Sequence, residues 1–319
     1  MDFKNYLLFL LVLATTLASN AQEVLTVEEA VKIALENNYQ IKTAKNNLRM
    51  DETAVSPGQA GMLPQVTASI VDNNSVQNLS QTRVDGTEVE RDNAKNSNLS
   101  YGVALEWTIF DGLRMFANYE QLKETEKLGE AELKQAILGK VGDVMTTYYD
   151  LVQQQQQLSA LDSTLLISEQ RVELAQNRFT IGKASKLEVL NAQVDLNTDK
   201  TQMQRQQELH KNTKILLNEQ LARDLKIDFK VIPEIFVDQQ LNLEELENQV
   251  VEENPQLQAE KISKRISELQ LKQIKASRYP SVYVTTGYNI GNSTSELGFS
   301  TRSQSNGFNY GFGASLNLF

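Results

Sequence analysis

Tyr101-Gly102-Val103-Ala104-Leu105-Glu106-Trp107-Thr108-Ile109-Phe110 is the stretch that decides the fold. In an extended chain, successive side chains alternate between two faces. Tyr101, Val103, Leu105, Trp107 and Ile109 therefore share one face, and Gly102, Ala104, Glu106 and Thr108 share the other. The pattern returns near the far end, where Phe308, Tyr310, Phe312, Ala314, Leu316 and Leu318 oppose Asn309, Gly311, Gly313, Ser315 and Asn317. Two further runs alternate in the same way. Val66, Ala68 and Ile70 stand against Gln65, Thr67 and Ser69, and Val282, Val284, Tyr288 and Ile290 form the fourth apolar row. Segments of about ten residues, bulky and apolar on one face and small or polar on the other, fit transmembrane β-strands. A soluble antiparallel sheet with one face on a helix fits the same period.

Working outward, the chain repeats itself. Leu25-Thr26-Val27-Glu28-Glu29 opens a helical stretch that meets Pro64, and Leu241-Asn242-Leu243-Glu244-Glu245 opens another that meets Pro280, at one constant offset. Asn38 and Asn254 keep that offset, and Tyr101–Phe110 aligns with Tyr310–Phe319. A duplication on this scale means that each copy builds half of one object. In the first copy Phe110 leads into a very long helical region, whereas the second copy reaches only Phe319.

Composition narrows the function. No cysteine is present among the 319 residues, which excludes a disulfide scaffold and any cysteine nucleophile or cysteine metal site. Met1 to Ala21 reads as a secretory signal: Lys4 in a short polar start, an apolar run from Tyr6 to Leu17, and the small-residue site Ser19-Asn20-Ala21. The signal and the polar stretches 72–98 and 291–307, which resemble extracellular loops, favour the membrane for the alternating strands. Open strand edges are not tolerated in lipid, so four strands must be pooled with those of further copies. The formal net charge of −10 argues against nucleic acid, whose phosphates call for clustered Lys and Arg.

Between the strands lie helices. Residues 25–60 read as helical, with Thr26 and Glu29 as a capping box and Val27, Ala30, Val31, Ala34 and Leu35 as the apolar face. From Asp111 or Gly112 nothing breaks the helical pattern until Gly182, and Leu133, Ile137, Val141, Val144, Tyr148, Leu151, Leu158, Leu161 and Leu165 form a coiled-coil stripe. The returning helix, from Lys186 to about Asp224, offers Leu187, Leu190, Val194, Leu209, Leu216, Leu217 and Leu221. A shorter helix over 255–278 completes the length of the long one, and residues 225–240 form a connector.

The turn between the long helices reads Arg178-Phe179-Thr180-Ile181-Gly182-Lys183-Ala184-Ser185-Lys186-Leu187-Glu188-Val189-Leu190-Asn191-Ala192. Gly182 suits the left-handed residue that ends a helix. Arg178 complements the dipole of the last turn. Ser185 with Glu188 spells a capping box for the next helix. Every residue here has a folding role, and a partner site is the competing reading. No paired motif for catalysis, cofactor or metal appears, and His210, the only histidine, sits in a Gln-rich helix.

This turn resembles the periplasmic-tip hairpin of the TolC-like outer-membrane efflux proteins. The Leu-Thr-Val-Glu-Glu-Ala opening, the Leu-Pro junction and the Trp-Thr-Ile-Phe-Asp-Gly strand end resemble further landmarks of that family. The resemblance implies a fold that is mainly α with membrane β-strands. A long antiparallel coiled-coil hairpin would join two β-hairpins that contribute to a trimeric, twelve-stranded outer-membrane barrel. It implies a homotrimer with a periplasmic extension that docks a periplasmic adaptor serving an inner-membrane pump or ABC transporter. Arg178, Ile181, Gly182 and Ser185 would face the adaptor, Glu188 would stand near the tunnel mouth, and Glu106 and Thr108 would line the barrel lumen. No cofactor and no enzyme activity are implied.

On this reading the chain divides into a signal peptide (1–21), first-repeat helices (22–63), a first membrane hairpin (64–110) and a long periplasmic hairpin (111–224, tip near 178–188). A connector with the start of the second repeat (225–254), a second-repeat helix (255–279) and a second membrane hairpin (280–319) follow. The family's second long helical hairpin has no counterpart, so the sequence predicts a truncated member. Its expected function is an exit duct for efflux or type I secretion. A trimeric coiled-coil surface fibre or adhesin that conducts nothing is the rival.

Overall fold

In the computed structural model, described over residues 23–233, 235, 242–297 and 300–318, the first regular elements are fixed by their caps. The segment read as a secretory signal, Leu241 and Phe319 lie outside the described residues. After strand β1 (Glu23–Leu25), the Thr26 hydroxyl accepts from Glu29 N at 3.1 Å and the Glu29 carboxylate accepts from Thr26 N at 3.1 Å, closing the expected capping box. Helix α1 (Val27–Asn37) follows. The helical stretch is not continuous, because Asn38 breaks it with an extended backbone and starts α2 (Tyr39–Ala54). Its Oδ1 accepts from Gln40 N at 2.9 Å and its Nδ2 donates to Gln220 O at 2.8 Å. Asn254, the repeat's counterpart, likewise caps a helix by accepting from Leu257 N at 3.1 Å.

Strands β2 (Gln65–Thr82) and β3 (Glu88–Phe110) form an antiparallel pair. The Asp111 carboxylate, accepting from Met115 N at 3.0 Å, caps the long helix α3 (Arg114–Thr180). Helix α4 (Lys186–Gln220) returns from it. Strand β4 (Phe229–Val231), helix α5 (Leu243–Glu253), helix α6 (Pro255–Ala276) and the antiparallel pair β5 (Ser281–Ser295) and β6 (Arg302–Ser315) complete the order. At about 1.5 Å per residue, the 67 residues of α3 rise ~100 Å.

The chain forms two compact units, residues 1–46 with 132–253 and residues 47–131 with 254–319. The first is built on a hydrophobic core of Leu25, Ala30, Ala34, Val144, Tyr148, Leu151, Val152, Leu217, Leu221, Phe229 and Val231. β1 and β4 pair in parallel over it. The Tyr148 hydroxyl ties both strands down, donating to Leu25 O at 2.9 Å and accepting from Ile232 N at 3.1 Å. Burial of the phenol raises its pKa.

The second unit holds a four-stranded antiparallel sheet in the order β2-β3-β5-β6. Gly112 (φ 73°) lets the chain pass the end of α6, where a Cβ would stand 2.4 Å from Ala276 O. Gln273 Nε2 donates to Gln121 Oε1 at 2.6 Å and joins α6 to the start of α3. The stretches 72–98 and 291–307, expected as loops, are largely strand. β2 and β3 continue to the Thr82–Glu88 pair, and the turn between them is held by Gly86 (φ 83°) and by Thr87 N donating to the Asp85 carboxylate at 3.0 Å. That donor lowers the Asp85 pKa.

Candidate functional site

At the helical turn, Lys183 N donates to Arg178 O at 2.8 Å and Gly182 N to Phe179 O at 2.9 Å, with Gly182 at φ 73°. These paired bonds around a left-handed glycine make a Schellman ending, which satisfies carbonyls that the helix leaves free. Space around Gly182 is open, with no atom within 4 Å of a built Cβ, so backbone conformation rather than crowding requires the glycine. Ser185 caps α4, its hydroxyl accepting from Glu188 N at 3.3 Å.

The other half of the expected capping box does not form. The Glu188 carboxylate instead accepts from Arg178 Nη1 at 2.9 Å, an ion pair across the turn. The physical reason is choice of partner: a guanidinium offers a charged donor, whereas the Ser185 amide is neutral. Glu188 thus carries a compensated charge. Ile181 (64% exposed) and Leu187 (64%) present apolar side chains beside it.

Below the turn, α3 and α4 meet along a seam that is partly polar. Ser168 Oγ donates to the Asp199 carboxylate, Gln154 Nε2 to Thr213 Oγ1 at 3.1 Å and Gln220 Nε2 to Thr147 Oγ1 at 3.0 Å. Gln154 Oε1, Gln206 Nε2, His210 Nδ1 and Gln220 Oε1 are buried without a partner. Burial lowers the His210 pKa, as does Lys214, while Asp228 opposes the shift. The α4 stripe differs from expectation. Val189, Gln206 and Leu217 are buried, whereas Leu187, Leu190, Val194, Leu209 and Leu216 are exposed.

The sheet has two contrasting faces. Register places Val66, Leu105, Thr286 and Tyr310 in one row, with Ala68, Val103, Tyr288 and Phe308 in the next on the same face. Trp107, Val284 and Phe312 extend the face toward the helical end, where Trp107 Nε1 donates to Met62 O at 3.0 Å. Farther along, Asp72, Asn292 and Gln304 turn it polar. At ~3.3 Å per residue and a tilt of ~40°, ten residues cover ~25 Å of height, the depth of an apolar membrane band. Among the described residues no helix covers this face: Ile70 is 74% exposed, Phe312 76% and Tyr310 82%. A soluble sheet would bury such side chains.

Glu106 and Thr108 lie on the opposite face, aligned with Thr285 and Tyr283 of β5. The face is otherwise rich in Gly, Ser, Thr and Asn. The structure brings these two residues onto one surface, and it brings Arg178, Ile181, Gly182, Ser185 and Glu188 into one turn. Sequence reasoning missed Tyr283, whose alternation with Val282 and Val284 was a usable signal. Among the described residues, no helix is long and apolar enough to cross a membrane, and no acidic or histidine cluster could hold a metal ion.

Long paired helices joined to β-hairpins that are apolar on one face define an outer-membrane-channel class of architecture. Residues 30–219 match the outer membrane efflux protein family, and the chain belongs to that family. No curated protein sequence matches it. Among solved structures, a membrane protein from Pseudomonas aeruginosa superposes with TM-score 0.67 at 17% identity, covering 92% of this chain and 66% of that one. The Campylobacter jejuni CmeC outer membrane channel gives 0.66 at 15% identity, covering 92% and 61%. The open-state Neisseria gonorrhoeae MtrE outer membrane channel gives 0.62 at 17% identity, covering 92% and 63%. The fold is therefore shared, and this chain spans 61–66% of the length of those chains. Efflux proteins are conduits, and family membership sets enzyme chemistry aside.

Proposed function

We propose that the chain forms part of the wall of an outer-membrane exit duct with a periplasmic extension. The uncovered apolar face of β2, β3, β5 and β6 carries this reading, because lipid is the solvent that such a face requires. Four strands per chain leave two open edges, and a homotrimer would close them into a twelve-stranded barrel with the polar face lining the lumen. The helical turn would dock a periplasmic adaptor linked to an inner-membrane pump or ABC transporter, serving efflux or type I secretion. Arg178, Ile181, Gly182 and Ser185 would meet that adaptor. Glu188, paired with Arg178, would contribute little net charge at the tunnel mouth.

Fractionation followed by planar-bilayer recording tests the duct. The expected result is a heat-sensitive oligomer in the outer membrane that conducts ions; a freely soluble periplasmic protein with no conductance would end the proposal. For the tip, Gly182→Trp is expected to abolish adaptor cross-linking without disturbing membrane insertion. Unchanged cross-linking would leave the turn with its folding role alone.

A further inference from the structure

The turn and the sheet each carry an acidic side chain on the proposed path of a solute, and the two differ in compensation. At the turn, Glu188 accepts from Arg178 Nη1 at 2.9 Å, so the pair is close to neutral at a distance. In the sheet, Glu106 is exposed and makes no ion pair or hydrogen bond among the described residues.

Register extends the contrast to the surroundings of Glu106. Its own row on the polar face reads Gln65, Glu106, Thr285 and Gly311. The row on the Phe110 side holds Thr108, Tyr283 and Gly313. The rows on the other side, as far as Asn73, Asn98, Ser293 and Ser303, carry no Lys, Arg, Asp or Glu. Along the strands the nearest basic residues, Lys95 and Arg302, come only after these rows, and their register places them on the opposite face. An isolated carboxylate on a water-filled passage raises the local concentration of cations and lowers that of anions. Rings of acidic side chains select cations in channels by this field.

Resting on the proposed homotrimeric duct, we infer that Glu106, repeated once per chain around the passage, gives the barrel its preference for cationic over anionic solutes. The selection is by sign of charge, since the surrounding Gln, Thr, Gly and Asn side chains offer no field of their own. Glu106 stands near the Phe110 end of β3, where the chain turns into α3, so solutes arriving from the helical side meet it before the neutral rows. Three carboxylates about 10 Å from an ion on the axis, screened by 0.1 M salt, favour a monovalent cation over an anion by roughly 5-fold.

The test is the reversal potential of the full chain in planar bilayers under a KCl gradient. Glu106→Gln is expected to lower the potassium-to-chloride permeability ratio by about 5-fold near 0.1 M salt, and the difference should vanish near 1 M, where the Debye length is ~3 Å. Thr285→Lys, which sets an ammonium opposite the carboxylate in register, should lower the ratio by a similar factor with Glu106 in place. Should Glu106→Gln fail to insert, Thr285→Lys decides alone. A ratio unchanged by these substitutions, with conductance intact, overturns the role of Glu106 and leaves the duct standing. A loss of preference that persists in concentrated salt overturns it as well, because the field of the carboxylates does not reach the ion there. No conductance in wild type overturns the duct and this reading together.

Discussion

The α3–α4 seam and the four-stranded sheet handle polarity in opposite ways. In the seam, Ser168, Gln206 and Asn218 are buried, and Gln154, Thr213 and His210 line the contact. In the sheet, Phe308, Tyr310 and Phe312 stand uncovered on one face. A water-soluble fold hides apolar surface and exposes polar groups. The seam keeps that rule only by pairing most of what it buries, whereas the sheet reverses it over a ~25 Å band, as a lipid-facing surface does. On the proposed reading the two regions meet two solvents, and substitutions that change which solvent a side chain meets should separate them.

The largest effect belongs on the apolar face. Tyr310→Arg puts a charge at the middle of the band and is expected to cost about 2–4 kcal/mol of membrane-inserted stability. Asn309→Arg, one residue away on the opposite face, should be tolerated. Urea unfolding from lipid vesicles measures both, and equal costs would erase the distinction between the faces. In the first unit the comparable loss is polar. Tyr148→Phe strips the partner from Leu25 O and Ile232 N, at about 1–3 kcal/mol for each buried group left unsatisfied. Thermal unfolding reads it, and an unchanged midpoint would show that water replaces the hydroxyl.

Side chains facing a single environment made their region legible. Alternation from Tyr101 to Phe110 marked strands because one side carries bulky apolar side chains and the other small or polar ones. Thr26 with Glu29 marked a helix start because the cap is local chemistry. The polar extension of β2 and β3 was silent, since both its faces meet water and no hydrophobic period survives. α4 misled for the reverse reason. It carries apolar residues on more than one face, so bulk alone selected Leu187 and Val194, whereas packing selected Val189, Ala192, Leu196 and Met203. The helix break at Asn38 was written in its offset from Asn254, but only the cap geometry gave that repeat a meaning. At the turn, Arg178 and Ser185 behaved as their local chemistry requires, while Glu188 had two eligible partners and the spacing could not choose between them.

A smaller effect sharpens the seam's side of the comparison. His210 is held neutral mainly by burial, aided by Lys214 and opposed by Asp228, with Lys211 and Lys226 on the same cavity wall. A lowered pKa means that the unfolded chain binds the proton more readily. Its contribution is therefore complete above about pH 6.5 and is lost as pH falls toward the folded value. Denaturation midpoints should drop on acidification in wild type and drop less in His210→Leu. Parallel decline in both proteins would assign the acid sensitivity elsewhere.

The smallest effect falls at the turn and asks whether its ion pair is structural or reserved for a partner. Arg178 and Glu188 have side chains 48% and 43% exposed, so water and salt screen them. Arg178→Ala should cost only about 0.2–1 kcal/mol, and the loss should shrink further in high salt. The Schellman bonds at Gly182 involve backbone alone and survive the change. A double-mutant cycle with Glu188→Gln measures the coupling. A coupling near zero, combined with lost adaptor cross-linking in Arg178→Ala, would show that the guanidinium is held at the tip for a partner. A coupling at the upper end of the range, with cross-linking intact, would show that the pair fastens the two helices to each other.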